Sequence, residues 1–350
     1  MRTKIFLTTL LLFVGFISNA QKDPKSSESK SQKNEGSTDT NAQTSSNLLD
    51  SEDTYKGKTT LVNVTTDVYF FKGEEENMGV FLAKEGAVII DTQNPDEMSR
   101  SLKIINRLNK KLPIKYLINT SSVLKNKRNT SELKKDGTLL IGQNNSSVNK
   151  NVKKGSNSTN FKPNISFKGQ MTINLESENL EIISLRNSAN SAVFLSKKNV
   201  LFTGPIFVNK KYPLINAETG NGYKDITKGL SGIYRLANDK TKIIPGKGEL
   251  ASLMDVNNAL NMMENVVKQV YSQRANGKTL EQVLAMKNIT KIYDARGYGD
   301  GVVTTEIFIT SIYNEIAKEL GPLDTRTPEE KGRARLKEIQ KEQKDKSEKN

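Results

Sequence analysis

Ser122-Val123-Leu124-Lys125 sets a hydroxyl three residues ahead of a lysine, the S-x-x-K spacing in which an amine activates serine for acyl transfer. The spacing recurs at Ser131-Glu132-Leu133-Lys134, and neither copy is accompanied by an S-D-N or K-T-G partner. A chain this rich in serine and lysine produces such a short pattern readily, so it does not identify a nucleophile. Glu74-Glu75-Glu76, the densest acidic run of the central region, reads as a solvated hairpin loop. Gly220-Asn221-Gly222 lacks the third glycine of a dinucleotide fingerprint and reads as a turn. Asp91 falls at a strand end and reads as structural. The 350 residues include no histidine and no cysteine. Their absence removes the commonest general base, the imidazole and thiolate ligands of zinc, and any disulfide.

Positive charge is the other chemical resource. The chain carries 53 Lys and Arg against 39 Asp and Glu. Removing Arg2 and Lys4 leaves +12, and the segment from Arg100 to Gly155 alone holds 14 basic residues against Glu132 and Asp136. Lys125, Lys127, Arg128, Lys134 and Lys135 form its centre. A concentrated field of this sign attracts polyanions at low salt and is screened beyond ~8–10 Å at physiological ionic strength.

The elements that must position these groups begin after an N-terminal leader and a polar linker. Residues 1–20 place Arg2 and Lys4 before an apolar run from Ile5 to Ile17 and a Ser18-Asn19-Ala20 ending, the pattern of a secretory signal peptide. That implies export to the periplasm or beyond, and no later run is long and apolar enough to span a membrane. With no cysteine to acylate, a lipoprotein is ruled out. Residues 21–56, rich in Ser, Asn, Thr and Lys, read as a disordered linker. Short apolar runs then recur: Thr60 to Val64, Val68 to Phe71, Gly79 to Leu82 and Ala87 to Ile90, a strand meander. Asn94-Pro95-Asp96-Glu97 starts a helix that carries Met98, Leu102, Ile105 and Leu108 at helical spacing. Tyr116 to Ile118 and Thr138 to Ile141 return to strand character. A second set of strands follows at Met171 to Leu175, Leu180 to Leu185, Ala192 to Leu195, Val200 to Thr203 and Lys242 to Ile244, with a helix from Lys224 to Ala237. Helices around Leu260 to Val270, after a Thr279/Gln282 capping box, and from Thr305 to Gly321-Pro322 complete the domain at 57–322. Residues 323–350 are a charged tail or solvated helix. Strand runs with helices interleaved twice predict an α/β protein, a four-layer αββα sandwich.

Six ordered stretches resemble landmarks of the metallo-β-lactamase superfamily. They are Asn77-Met78-Gly79-Val80 with Ala87-Val88-Ile89-Ile90-Asp91-Thr92, Pro113 to Thr120, Val200-Leu201-Phe202-Thr203-Gly204, Tyr212-Pro213-Leu214-Ile215, Ile243-Ile244-Pro245-Gly246-Lys247-Gly248, and Tyr293-Asp294-Ala295-Arg296-Gly297 with Gly299. The resemblance implies the αββα fold and a dinuclear zinc hydrolase site. Against the H-x-H-x-D-H run of that family stand Ser121, Val123, Lys125 and Asn126, with Asn129 kept where the loop ends. The later ligand positions fall on Arg186, Pro205 and Lys247.

None of the seven replacements can substitute for the ligand it displaces, and no alternative catalytic set, metal site or cofactor is assigned. Lys125, Arg186 and Lys247 bring fixed positive charge to a place where cations would sit. The expectation is therefore an exported pseudoenzyme that acts by binding, with an anionic ligand held by those three cations and by Ser121 and Asn126. Its partner would be a protein, a cell-envelope polymer or another polyanion. The alternative is an active hydrolase of an ester, thioester or lactam with a rebuilt site.

Overall fold

In the computed structural model of the chain, strand alternation sorts the large side chains into three layers of core. The structure describes residues 59–109, 112–121, 123–124, 127–143, 159–160, 163–185, 190–323 and 326–347. The signal-peptide and linker assignments, and Lys125, Asn126 and Arg186, lie outside the described residues.

The first sheet has seven strands in the order β1 (Thr60–Asn63), β2 (Val68–Lys72), β3 (Met78–Ala83), β4 (Gly86–Ile90), β5 (Ile114–Asn119), β7 (Leu139–Gln143) and β9 (Ile165–Phe167). Between β5 and β7 the chain forms β6 (Val123–Leu124), which pairs with β8 (Thr159–Asn160) as a separate ribbon. The meander β1 to β4 is antiparallel, whereas β4, β5, β7 and β9 pair in parallel, so their C-terminal ends share one edge. The second sheet runs β10 (Gln170–Asn174), β11 (Asn179–Ser184), β12 (Ser191–Leu195), β13 (Val200–Phe202) and β14 (Lys242–Ile244), with β13 and β14 parallel.

Alternate residues explain the layering. Phe70, Phe81, Val88, Ile90, Ile118 and Ile141 meet Leu180, Ile182, Val193, Val200, Phe202 and Ile244 between the sheets. Their sequence neighbours Phe71, Val80, Ile89, Leu117 and Leu140 face α1 (Pro95–Leu108) and α2 (Lys127–Lys135) through Met98, Ile104, Ile105 and Leu133. On the other outer face Ala192, Leu201 and Ile243 pack against helices. These are α3 (Tyr223–Leu236), α4 (Leu253–Ala275), α5 (Leu280–Leu284), α6 (Lys291–Asp294) and α7 (Thr305–Leu320). The expected α/β/β/α order is thus present. Each fully buried aromatic or branched residue contributes roughly 1.5–3 kcal/mol to that packing. Gly79 lets the sheets close: a β-carbon there would overlap the Phe202 ring.

The predicted caps form. Asn94 accepts from the Glu97 N–H at 3.0 Å, Thr279 and Gln282 make a reciprocal box, and α7 ends at Gly321 with φ 76°. The middle helix runs from Tyr223 to Leu236, one residue earlier at each end than the pattern gives. Beyond the domain, Pro328–Ser347 forms α8, polar on nearly all sides. Among the described residues no helix is long and apolar enough to cross a membrane.

Candidate functional site at the strand ends

The C-terminal ends of β4, β5, β13 and β14 converge, and short side chains tie them together. Asp91 follows β4 in the left-handed region, φ 63°, a conformation that Asp tolerates better than most residues. It accepts hydrogen bonds from the Thr120 N–H at 2.7 Å and from the Thr120 hydroxyl at 2.7 and 2.9 Å, which fixes the end of β4 to the end of β5. Protein surrounds the carboxyl closely enough that desolvation pushes its pKa up to about 6, against the opposing pull of the Thr120 bonds.

Thr120 in turn touches the end of β13. A β-carbon on Gly204 would overlap the Thr120 hydroxyl, and Gly204 has φ 57°, so glycine is required there on two counts. A β-carbon on Gly246 would overlap the Gly204 carbonyl, which brings the end of β14 against the same point. The Ser191 N–H donates to the Thr120 carbonyl at 2.8 Å, so β12 also starts at this junction.

The Pro245-Gly246-Lys247-Gly248-Glu249 turn is clamped from both flanks. Asn77 donates from its side-chain amide to the carbonyls of Pro245 at 2.9 Å and Gly248 at 2.8 Å, and from its backbone to Gly246 at 2.8 Å. Opposite it, Asn209 donates from its backbone to Lys247 at 3.0 Å and from its side chain to Glu249 at 3.2 Å. Every carbonyl from Pro245 to Glu249 therefore has a donor. The Lys247 ammonium, half-buried, has no ion pair or hydrogen bond among the described residues.

Of the seven positions where the resemblance implies ligands, three sit on this junction. Ser121 follows Thr120, Pro205 follows Gly204, and Lys247 follows Gly246. Val123 lies in β6, and nothing is assigned to its side chain. Of the basic patch, Lys127 begins α2, Arg128 is exposed and pairs with Glu132 at 3.6 Å, and Lys134 and Lys135 are exposed at the C-terminal end of α2, where the helix dipole favours cations. Glu74 and Glu75 are exposed in the β2–β3 loop, as expected for a solvated run.

Zinc does not fit this donor set. Ser121, Val123, Lys125, Asn126, Arg186, Pro205 and Lys247 supply no imidazole, thiolate or carboxylate, and both oxygens of Asp91 are engaged by Thr120. Among the described residues no group of three His, Cys, Asp or Glu could hold a metal ion.

Sequence reasoning named Asn77 only as the start of a landmark stretch and did not name Asn209, and it gave neither a clamping role. Asn77 stands 168 and 171 positions from its carbonyl partners, so no local spacing signals it.

No family model matches the chain, and no curated protein is similar to it. Solved structures are. The chain resembles a metallo-β-lactamase from Pontibacter korlensis, at 16% identity and TM-score 0.51, over 59% of this chain and 100% of that one. It also resembles the stereoselective inverting sec-alkylsulfatase Pisa1 from Pseudomonas sp., at 15% identity and TM-score 0.59, over 80% of this chain. The match spans 54% of the sulfatase. These likenesses show the metallo-β-lactamase fold.

Proposed function

We propose that this chain is a metal-free protein of the metallo-β-lactamase fold that binds an anion at the strand ends and performs no zinc hydrolysis. The observation that carries the reading is the pairing of a scaffold tied by Asp91, Thr120, Gly204 and the Asn77 clamp with a donor set that offers cations where ligands would be. Lys247 is supported by a turn whose carbonyls are all engaged and has no acidic partner among the described residues. Lys125 and Arg186 would add two more charges, and mutual repulsion between cations in a shared cleft is relieved by an oxyanion. Ser121 and Asn126 would supply neutral hydrogen bonds. Export by the N-terminal segment belongs to the same proposal, and it would put the protein in contact with envelope polymers.

Titration calorimetry on the chain prepared without a histidine tag tests the reading. Zinc should give no stoichiometric heat. Sulfate and a secondary alkyl sulfate are the first anions to titrate, because one structural neighbour is an alkylsulfatase. Binding should weaken about tenfold in Lys247→Ala, as expected for loss of one charge-assisted bond. Tight zinc binding, or saturable turnover of an ester, thioester or lactam, would overturn the proposal in favour of a rebuilt hydrolase.

A further inference from the structure

We propose that the cavity walled by α5, α6 and the start of α7 binds an organic ammonium ion that carries an apolar body. This site is separate from the strand-end junction. Its volume is about 630 Å³, within the range of small-molecule sites. Val283, Ile289 and Ile309, all buried, form part of its wall with Met286, and supply the apolar surface.

Three carboxylates line the cavity, Asp294, Asp300 and Glu306, against one cation, Lys287. That excess of negative charge stands out in a chain whose net charge is +14. Asp294 is the fixed member. Its Oδ1 accepts from the Tyr212 hydroxyl at 2.8 Å and from the Thr305 hydroxyl at 2.6 Å, while Oδ2 accepts no hydrogen bond among the described residues. Tyr212 cannot swing away, because its ring stacks on Phe308 at 4.3 Å and 10°. Burial, then the Asp294 carboxylate, raises the Tyr212 pKa far above the ordinary tyrosine range, so the phenol stays a donor.

A second polar group points to a ligand independently of the acids. Thr290 lines the cavity at 2% exposure, and its hydroxyl has no partner among the described residues. Its oxygen keeps contact with solvent, so it can both donate to and accept from an occupant of the cavity. The N-terminus of α7 also opens here and by itself favours anions. Glu306 in its first turn and the Thr304 cap, which accepts from Ile307 N–H at 3.3 Å, already answer that field. Lys211, just outside the lining, has its ammonium engaged by the Gly297 and Asp300 carbonyls at 2.8 and 2.7 Å, and Asp294 is left as the carboxylate with an open oxygen, which favours a cation. An ammonium group would bond Asp294 Oδ2 and the Thr290 hydroxyl while its chain lies along the apolar wall.

The test uses the full chain with hexylammonium, hexanol and hexanoate as probes. Spectra of methyl-13C methionine read the location, since Met286 lines the cavity and Met254 is exposed on α4. Hexylammonium should shift the Met286 methyl, leave Met254 in place, and bind about tenfold more tightly than either control, the effect of one charge-assisted bond. Asp294→Asn should weaken it about tenfold. Asp300→Asn, at an exposed side chain that leaves the fold intact, should weaken it about threefold. Equal affinity for hexanol or hexanoate, an unmoved Met286, or unchanged binding in Asp300→Asn together with Glu306→Gln would overturn the proposal.

Discussion

Asp91→Asn should convert a pH-dependent fold into a less pH-dependent one. The Asp91 carboxyl has a folded pKa of about 6 against an ordinary 3.8, raised by burial. Because the folded pKa is raised, the protonated form is the one the fold favours. Its stability contribution is fully present below pH 3.8, declines as pH rises, and is lost once pH passes about 6. The gap between 3.8 and about 6 corresponds to about 3 kcal/mol. Asparagine keeps an oxygen that can accept from the Thr120 N–H and hydroxyl, and it tolerates the left-handed backbone at φ 63°. Urea unfolding of wild type and variant at several values between about pH 4 and about pH 7.5 reads the difference. Subtraction cancels the titration of Asp225 and Glu315, whose carboxyls burial also raises. The stability of the variant relative to wild type should climb by about 2.5 kcal/mol across that range, most of the full difference. A difference that is flat or falls with pH would refute the claim that desolvation dominates at Asp91.

Asn77→Ala should cost about 2–4 kcal/mol in urea unfolding, because the carbonyls of Pro245 and Gly248 lose their donor. Gly204→Ala should destabilise by more than a surface substitution, since the new methyl both meets the Thr120 hydroxyl and sits at φ 57°; a midpoint unchanged from wild type would remove Gly204 from the junction. Heparin affinity should fall steeply as salt is raised, and should drop when Lys125, Lys127 and Arg128 are neutralised together; salt-independent binding would separate polyanion affinity from the 100–155 segment.

Alternation made the layers readable before any coordinates. Phe70 and Phe71, or Ile89 and Ile90, are consecutive apolar residues, and a parallel or central strand buried on both faces reads as such a run. Helices with caps, such as the one after Asn94, were equally legible. α2 was not, because Leu133 is its one apolar residue in the core and its remaining positions are lysine, arginine, asparagine and other polar types. β9, three residues long, gives too little alternation to detect. At the site, Ser121, Pro205 and Lys247, named from sequence, adjoin the strand-end junction, but what holds that junction was not legible. Tyr212-Pro213 and Tyr293-Asp294 read as two separate landmarks, yet Tyr212 donates to Asp294 across 82 positions. Pairings of that range follow from the fold and leave no trace in local spacing.

The strand-end junction accounts for its own geometry without a bridging cation. In a metal site the ion holds loops from different strands together, and here that role falls to uncharged contacts and one carboxylate. Asp91 joins β4 to β5 through Thr120, Gly204 and Gly246 allow β13 and β14 to close on that point, and Asn77 and Asn209 hold the lysine-bearing turn from two sides. The bonds from Asn77 and Asn209 and that from the Thr120 N–H satisfy backbone groups near the protein interior, while the two glycines permit the close approach. Lys247 is then presented by a rigid support, and a side chain whose base is fixed loses less entropy on binding than one on a mobile loop. The backbone of this turn needs that support whatever side chain stands at 247, so an anion titration with Lys247→Ala is more informative about this junction than an activity screen.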